Sequence, residues 1–203
     1  MSNIYFITGI GTGIGKTVVS AIITEKLQAD YWKPIQSGDL DISDSLFIKN
    51  LISNKKSIIR PEKYRLSRPL SPHLSARLDG IEIDLSSIVL PKANGDLVIE
   101  GAGGLMVPLN NKELILDLIK RLNPKVIVVS QNYLGSINHT LLTLETLKAH
   151  QIKVAGLIFN GTANAESENY IESYTGVKII GRVPSMNVID KETVRKAGQY
   201  ISL

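Results

Sequence analysis

The stretch TGIGTGIGKT, residues 8–17, places four glycines ahead of a Lys-Thr pair. The apolar run NIYFIT (3–8) before it predicts a strand, and KTVVSAIITEKLQ (16–28) after it predicts a helix. A glycine-rich turn at a helix N-terminus presents free backbone N–H groups and the positive end of the helix dipole. The stretch therefore predicts a loop that binds phosphate.

The spacing of this loop distinguishes two kinds of phosphate ligand. The dinucleotide fingerprint G-x-G-x-x-G fails when it is counted from either of the first two glycines. The triphosphate pattern G-x-x-x-x-G-K-[ST] is met at residues 15–17, although Ile10 holds its first glycine position. Lys16 can then reach the β and γ phosphates, and the Thr17 hydroxyl can ligate Mg²⁺. An incidental lysine in a glycine-rich turn is the alternative.

The remainder of the chain alternates short β-branched runs with helical patterns. Strands are predicted at 31–35, at 96–104 (ending in glycines), and at 125–130, 153–161 and 177–184. Helices are predicted at 44–53, 113–122, 137–151, 165–174 and 190–201, with only a short helix near 71–79 in the irregular segment 54–95. This pattern predicts an α/β fold, with three α/β/α layers and a mostly parallel central sheet as in P-loop NTPases, and one domain over residues 1–203. Ligands of such sheets bind at the carboxyl ends of the strands.

Composition limits the classes of function. The chain has 203 residues, and 43% of them are apolar, which suffices for a core. The densest basic stretch, residues 55–68, lacks the charge density and aromatics of a nucleic-acid surface, so we expect no nucleic-acid partner. The absence of cysteine excludes disulfides and thiolate metal sites. No apolar run approaches the roughly 20 residues that span a bilayer, so we expect a cytoplasmic protein without a membrane partner.

Charged residues follow the second predicted strand. Lys33 begins the sequence KPIQSG (33–38), where it either belongs to a site or is an edge-strand lysine whose amine reaches water. Asp39, Asp41 and Asp44 come next. One of these carboxylates could hold Mg²⁺, and at least one is expected to cap the helix that starts at residue 44.

Glu100 ends the third predicted strand. A buried carboxylate at that place is costly unless it is paired or bound to a metal. The small residues 101–104 behind it allow a backbone to approach phosphate. Thr17, Asp44 and Glu100 are therefore predicted to surround one water-rich octahedral Mg²⁺.

Three later segments also lie at predicted strand ends. Residues 135–138 begin a helix whose free N–H groups suit a carboxylate, although simple capping by Ser136 also explains the serine. Asn160, with Gly161 after it, can pair with an adenine edge or form an Asx turn. Residues 184–186 follow the next strand and could form a wall of a base site. The three histidines lack metal-ligand spacing.

Taken together, these motifs resemble the dethiobiotin synthetases nearly end to end. The resemblance rests on YFITG and TGIGKTVVS, YWKPIQSG followed by Asp44, SPHLSA, VIEGAGGLMVPL, LGSINHTLLT, AGLIFNG and GRVPSM in this order. It implies a Mg²⁺-dependent enzyme that converts ATP, CO₂ (or bicarbonate as its source) and 7,8-diaminononanoate to dethiobiotin, ADP and phosphate. It further implies a carbamate, a carbamic–phosphoric anhydride, and a homodimer with the diamine site near the interface.

The resemblance also implies a role for each matching residue. The implied catalytic residues are Lys33 and Lys16, and the implied Mg²⁺ residues are Thr17, Asp44 and Glu100. The implied ATP-binding residues are Gly13, Ile14, Gly15, Lys16, Thr17, Val18, Asp44, Glu100, Gly101, Ala102, Gly103, Asn160, Gly161, Pro184, Ser185 and Met186. The implied substrate-binding residues are Thr12, Lys33 and Ser37, with Gly135, Ser136, Ile137 and Asn138 of the second subunit receiving the substrate carboxylate.

The loop departs from the family pattern at both of its acidic positions. The family commonly has T-D-T-E-[VI]-G-K-T, whereas Gly11 and Gly13 replace its Asp and Glu here. Both replacements remove negative charge and add backbone freedom. We therefore expect the loop to be looser without nucleotide and to become ordered when nucleotide binds. Low loop mobility or strong hydrogen-exchange protection without nucleotide would contradict this expectation. A side-chain role cannot be carried over to Gly13.

Three other functions fit parts of the sequence. A ParA/MinD-like ATPase switch shares the fold and a deviant phosphate loop, but it would place a lysine early in the loop, where residues 10–12 have none. Another amide-forming enzyme of the superfamily is a second alternative. A nucleotide-binding module without chemistry is a third, against which the intact Lys16, Lys33 and Glu100 argue.

Overall fold

The structure is a computed structural model, and it describes residues 2–203. The helices are α1 (Lys16–Leu27), α2 (Asp44–Leu51), α3 (Pro72–Leu78), α4 (Ile115–Leu122), α5 (Ser136–Ala149), α6 (Ala165–Thr175) and α7 (Lys191–Ala197). The strands are β1 (Ile4–Gly9), β2 (Asp30–Trp32), β3 (Ile35–Ser37), β4 (Ile59–Arg60), β5 (Tyr64–Leu66), β6 (Leu97–Glu100), β7 (Lys125–Ser130), β8 (Val154–Asn160) and β9 (Ile179–Val183). No helix within residues 2–203 combines the length and apolar character needed to cross a membrane.

The central sheet has seven strands in the order β4-β2-β6-β1-β7-β8-β9. Every neighbouring pair in it is parallel, which confirms the predicted α/β class. After β1 the chain crosses first toward β2 and later toward β7, so the strand order reverses on the two sides of β1. Open sheets of this kind bind ligands at the carboxyl-end crevice where the order reverses, and the glycine-rich loop follows β1 at that point.

Helices cover both faces of this sheet, as the three-layer prediction required. Alternate residues of β7 enter two separate cores, because successive side chains on a strand point to opposite faces. Val126 and Val128 belong to one core, and Ile127 and Val129 belong to the other. All four side chains are fully buried, so the apolar run that contains them is a strand covered on both faces.

The prediction of one strand over 31–35 was wrong. The chain forms β2 and β3 on either side of Lys33 and Pro34, and β3 pairs with β5 in a separate two-stranded parallel sheet. Proline lacks the N–H that a central strand must donate. The interruption turns the chain out of the central sheet directly after Lys33.

The segment 54–95 is more regular than its sequence predicts. The helix expected near 71–79 is confirmed as α3, but the two-residue β4 and three-residue β5 were missed. The guanidinium of Arg60 in β4 lies 2.6 Å from a carboxylate oxygen of Asp30 at the start of β2. This ion pair joins β4 to β2 at the edge of the sheet, where β4 is too short to show an apolar pattern. The last predicted helix ends early, at Ala197, and continues as a short 3₁₀ turn.

Candidate active site

The glycine-rich loop leads from β1 to the first residue of α1. Gly15 caps α1 in the left-handed region, with φ of 90°. A Cβ at this position would lie 2.1 Å from Nδ2 of Asn160, so only glycine fits. Asn160, at the end of β8, donates this amide N–H to the carbonyl of Ile14 at 3.1 Å. The side chain of Asn160, at the end of β8, therefore holds the phosphate loop in place.

Lys16 closes the loop from its other side. Its Nζ donates to the carbonyl of Gly11 at 2.7 Å, and the residue is only 7% exposed. Burial lowers the pKa of the Lys16 amine to about 8, against the opposing attraction of Glu100. The amine thus lies inside the loop and is held by one of the loop's own carbonyl groups.

Lys33 is buried rather than solvated, so the edge-strand alternative is wrong. Its Nζ forms ion pairs with Asp44 and, at 3.1 Å, with Oε1 of Glu100. Burial by itself would lower the pKa of Lys33, but the two carboxylates outweigh burial and raise the pKa above its ordinary value. The amine therefore stays charged at neutral pH.

The three residues predicted to serve Mg²⁺ converge on one point. The Thr17 hydroxyl lies 3.0 Å from a carboxylate oxygen of Asp44 and 2.8 Å from Oε1 of Glu100. No group of three or more acidic, histidine or cysteine side chains suited to a metal occurs in residues 2–203. Two carboxylates beside a hydroxyl still fit Mg²⁺, because this ion usually takes few protein ligands together with water and substrate phosphate.

Asp44 is available to this cluster because another residue caps α2. Ser43 is the N-cap, and its hydroxyl accepts a hydrogen bond from the backbone N–H of Leu46. The expectation that Asp39, Asp41 or Asp44 caps this helix was therefore wrong. The backbone N–H of Asp44 donates instead to the Gln36 side chain, which ties the start of α2 to β3.

Tyr31 is a residue of this cluster that the sequence analysis missed. Its fully buried phenol donates to Oε2 of Glu100 at 2.9 Å. Burial, followed by the charge of Glu100, raises the pKa of Tyr31 well above its ordinary value. The available signal was its position two residues before Lys33, because alternate residues of a strand share a face.

A cavity of about 850 Å³ opens onto this cluster. It is lined by twelve of the predicted site residues, namely Thr12, Gly13, Gly15, Lys16, Thr17, Val18, Lys33, Ser37, Asp44, Glu100, Ala102 and Gly103. The buried hydroxyl oxygen of Ser37 has no hydrogen-bond partner within residues 2–203. The exposed apolar side chains of Ile42, Phe47 and Leu70 complete the wall.

The other predicted nucleotide residues lie outside the lining of this cavity. Asn160 contacts the phosphate loop through Ile14, and Gly161 donates its N–H to the carbonyl of Val183 at 2.8 Å. A Cβ on Gly161 would lie 3.9 Å from Oγ of Ser185. Four further residues of this set, Ile14, Gly101, Pro184 and Met186, likewise lie outside it. The carboxyl ends of β8 and β9 thus form a neighbouring surface beside the loop.

The helix start at residues 135–138 does not line the cavity of its own chain. Gly135 is the N-cap of α5, so the capping explanation for Ser136 was wrong. The Ser136 hydroxyl accepts instead from the backbone N–H of Tyr133 at 3.3 Å. Ile137 packs against the core, whereas Asn138 is exposed.

Comparison with known proteins finds similar chains of nearly the same length. A family model described as an AAA domain matches residues 3–193. An ATP-dependent dethiobiotin synthetase, BioD, from Christiangramia forsetii is 52% identical over 97% of this chain and 94% of that protein. The BioD proteins of Cytophaga hutchinsonii and Agrobacterium fabrum are 53% and 43% identical, over 94% and 100% of this chain and 92% and 96% of their own lengths.

Solved structures with the same fold are more distant in sequence. The septum site-determining protein MinD of Pyrococcus horikoshii, complexed with Mg-ADP, has a TM-score of 0.59 and 15% identity, over 97% of this chain and 86% of that one. A putative plasmid partition protein of Borrelia burgdorferi, bound to AMPPNP, has a TM-score of 0.58 and 10% identity, over 97% and 90%. At identities this low, the structural similarity shows a shared fold and nothing further.

Proposed function

The chain belongs to the family of ATP-dependent dethiobiotin synthetases, and from that premise we propose the reaction that it catalyses. It converts ATP, CO₂ and 7,8-diaminononanoate to dethiobiotin, ADP and phosphate, with residues 1–203 acting as one domain. The reaction closes a cyclic urea and so forms carbon–nitrogen bonds at the expense of ATP.

The observation that carries this proposal is the position of Lys33. Its buried amine lies between Asp44 and Glu100 at the mouth of the phosphate loop, on the wall of a cavity large enough for a second reactant. A ParA/MinD-like switch would instead place its additional lysine early in the phosphate loop, where residues 10–12 have none. A negatively charged nucleophile that must approach a negative phosphate needs such an amine beside it.

The nucleotide would bind along the phosphate loop. Its β and γ phosphates would take the backbone N–H groups at the start of α1 and the amine of Lys16. Thr17, Asp44 and Glu100 would hold Mg²⁺, which neutralises charge on the phosphates when it is bound. The proposed further contacts are Gly13, Ile14, Gly15, Val18, Gly101, Ala102 and Gly103 to the nucleotide, and Asn160, Gly161, Pro184, Ser185 and Met186 around adenine.

The diamine would occupy the cavity beside Lys33. Thr12 and Ser37 lie on its wall, and the unpartnered hydroxyl of Ser37 supports a contact to an amine or to its carbamate. A buried hydroxyl without a partner is costly, and a polar substrate group would remove that cost. The charged Lys33 amine would hold the carbamate oxygen in line with the γ-phosphate.

Three steps account for all atoms of the proposed reaction. One amine adds to CO₂ and loses a proton, which gives a carbamate. A carbamate oxygen then bonds to the γ-phosphorus while the bond to the leaving β-phosphate oxygen of ADP breaks. The second amine attacks the carbonyl carbon of this mixed anhydride and loses a proton, the carbon–oxygen bond breaks, and phosphate leaves with that oxygen. Lys33 and Lys16 stabilise the negative charge that these steps redistribute.

The substrate carboxylate would bind to a second copy of the chain. We propose a homodimer in which Gly135, Ser136, Ile137 and Asn138 of one subunit face the diamine in the other. In support, Leu134 beside this helix start is fully exposed, and Leu142 and Met106 form an exposed apolar pocket near the phosphate loop. Sedimentation at several protein concentrations tests this proposal, and a monomer throughout would contradict it.

Phosphate release tests the proposed reaction. The wild type and a Lys33→Ala variant are compared in Mg·ATP and bicarbonate, with and without 7,8-diaminononanoate. We expect phosphate only with the diamine, matched one to one by cyclic urea, and a loss on the order of 100-fold or more in the variant. Diamine-independent hydrolysis that is unchanged in the variant would contradict the proposal and favour an ATPase switch.

A further inference from the structure

We propose that Tyr31 is a positioning residue, whose phenol keeps Oε2 of Glu100 engaged so that only Oε1 faces Thr17 and Lys33. The inference rests on the Mg²⁺ role of Glu100 in the proposed function. The two carboxylate oxygens of Glu100 have different hydrogen-bond donors. Oε1 accepts from the Thr17 hydroxyl at 2.8 Å and from Nζ of Lys33 at 3.1 Å, while Oε2 accepts from Tyr31 at 2.9 Å.

The strand register places Tyr31 to do this. In the pairing of β2 with β6, Tyr31 lies opposite Val98. Glu100 is two residues further along β6 and therefore points to the same face as Val98. The long tyrosine side chain spans this step diagonally, which is within the reach of an aromatic residue across neighbouring strands.

Burial makes this single hydrogen bond consequential. Tyr31 is fully buried and Glu100 is 1% exposed, so solvent does not replace a lost donor at Oε2. Without the phenol, Oε2 would be an unsatisfied atom of a buried carboxylate. The carboxylate would then gain by turning Oε2 toward a donor that Oε1 now engages, such as the amine of Lys33. Glu100 would be misaligned for a cation, and Lys33 would be held more tightly than its role requires.

The test is a Tyr31→Phe variant, which removes the hydroxyl and keeps the ring. Tyr64→Phe is the matched control, because the Tyr64 hydroxyl also forms hydrogen bonds, to Ser87 and the Asp84 segment, away from the cavity. Calorimetry would give the dissociation constant of ADP with excess Mg²⁺ and with a chelator. The ratio of the two constants reports what Mg²⁺ adds to binding, independently of turnover.

We expect the Mg²⁺-dependent gain in ADP affinity to fall roughly 10- to 100-fold in Tyr31→Phe, the size of one lost hydrogen bond to a charged group. Binding with chelator should be unchanged, as should both constants in Tyr64→Phe. In a Glu100→Gln background, the Tyr31 substitution should have no further effect, because both act through the same carboxylate. A wild-type Mg²⁺ gain in Tyr31→Phe, or an equal loss with and without Mg²⁺, would overturn the inference.

The same preparations separate this inference from the proposed function. An unchanged Mg²⁺ gain in Tyr31→Phe, with diamine-dependent phosphate release intact in the wild type, would overturn the role of Tyr31 alone. Diamine-independent hydrolysis by the wild type would contradict the proposed reaction. The binding ratio would still decide whether Tyr31 positions Glu100.

Discussion

Two buried glutamates of this protein differ in what surrounds them. Glu25, near the end of α1, is 9% exposed. Its carboxylate accepts four hydrogen bonds, from the backbone N–H and the side chain of both Ser53 and Asn54. All of these donors are neutral. Burial by itself would raise the pKa of Glu25, but these hydrogen bonds outweigh burial and lower it below its ordinary value.

Glu100 is more deeply buried but less independently satisfied. One of its oxygens is shared between Thr17 and Lys33, and the same two donors are shared again with Asp44. If a phosphate and a cation entered this cluster, the Lys33 amine could pair with the phosphate, and the carboxylates and the Thr17 hydroxyl could bind the cation. The contrast indicates that Glu25 joins α1 to the end of α2, whereas Glu100 belongs to a cluster arranged for a ligand.

The largest expected effect comes from Glu100→Gln. This change keeps the shape and removes the charge that holds Lys33 and Thr17 in place. We expect diamine-dependent phosphate release to fall on the order of 100-fold or more, and the melting temperature to fall as well, because the buried Lys33 amine loses one of its two carboxylate partners. Steady-state kinetics and calorimetric unfolding measure the two quantities. A variant that unfolds many degrees lower and keeps its activity would remove the distinction between the two glutamates.

A substitution in the phosphate loop should have the next largest effect. In Gly15→Ala, the new methyl would meet the Asn160 amide and the residue would keep a positive φ. We expect ATP affinity to fall roughly 10- to 100-fold, as two or more phosphate contacts are displaced. Gly176→Ala is the control, since Gly176 also has a positive φ, of 66°, but open space around its Cβ. Equal ATP affinity in both variants would contradict the bracing of the loop by β8.

The smallest expected effect is on stability alone. In Glu25→Gln, the amide group of glutamine would face backbone donors that it cannot satisfy. We expect a loss of about 2 kcal/mol in the free energy of unfolding at pH 7, or roughly 4–8 °C in melting temperature. Diamine-dependent activity at a temperature well below the transition should be unchanged. A large loss of activity in the folded variant would show that Glu25 has a further role.

The difference in stability between the wild type and Glu25→Gln should depend on pH, because the pKa of Glu25 is lowered in the folded protein. A carboxyl group whose folded pKa is depressed stabilises the protein above its unfolded pKa, near 4.5, and loses that effect as the pH falls through the folded value. The gap in melting temperature between the wild type and Glu25→Gln should therefore narrow below about pH 4.5. Melting curves measured at intervals from pH 7 to the acid limit check this, and a gap that widens on acidification would contradict it.

The sequence predicts the residues of the ligand cluster better than it predicts the neighbouring residues and short strands that position them. Gly15, Lys16 and Thr17 form a local pattern, while Lys33 and Glu100 are charged residues in apolar strand ends, which is a rare combination. Both kinds of signal lie within a few neighbouring residues. Periodicity also sufficed for most of the parallel sheet, because β1, β7, β8 and β9 are largely apolar runs of five to seven residues.

The missed features depend on contacts between distant segments. The spacing of Tyr31 from Lys33 is a local signal, but only the pairing of β2 with β6 brings the tyrosine beside Glu100. The strands β4 and β5 have two and three residues, which is too short for a periodic pattern, and an ion pair to Asp30 fixes one of them. Ser43 caps α2, and none of the three candidate aspartates does, because the position of a cap depends on where the first turn begins.

The most direct test of the account follows an oxygen atom. The enzyme is supplied with unlabelled ATP, the diamine and ¹⁸O-labelled bicarbonate, and phosphate is analysed before bicarbonate oxygen exchanges with water. If a carbamate held by Lys33 attacks the γ-phosphate, each phosphate released should carry one labelled oxygen, and the Lys33→Ala variant should release almost none. Phosphate without the label would show that water attacks ATP, and the proposed role of this cluster would be wrong.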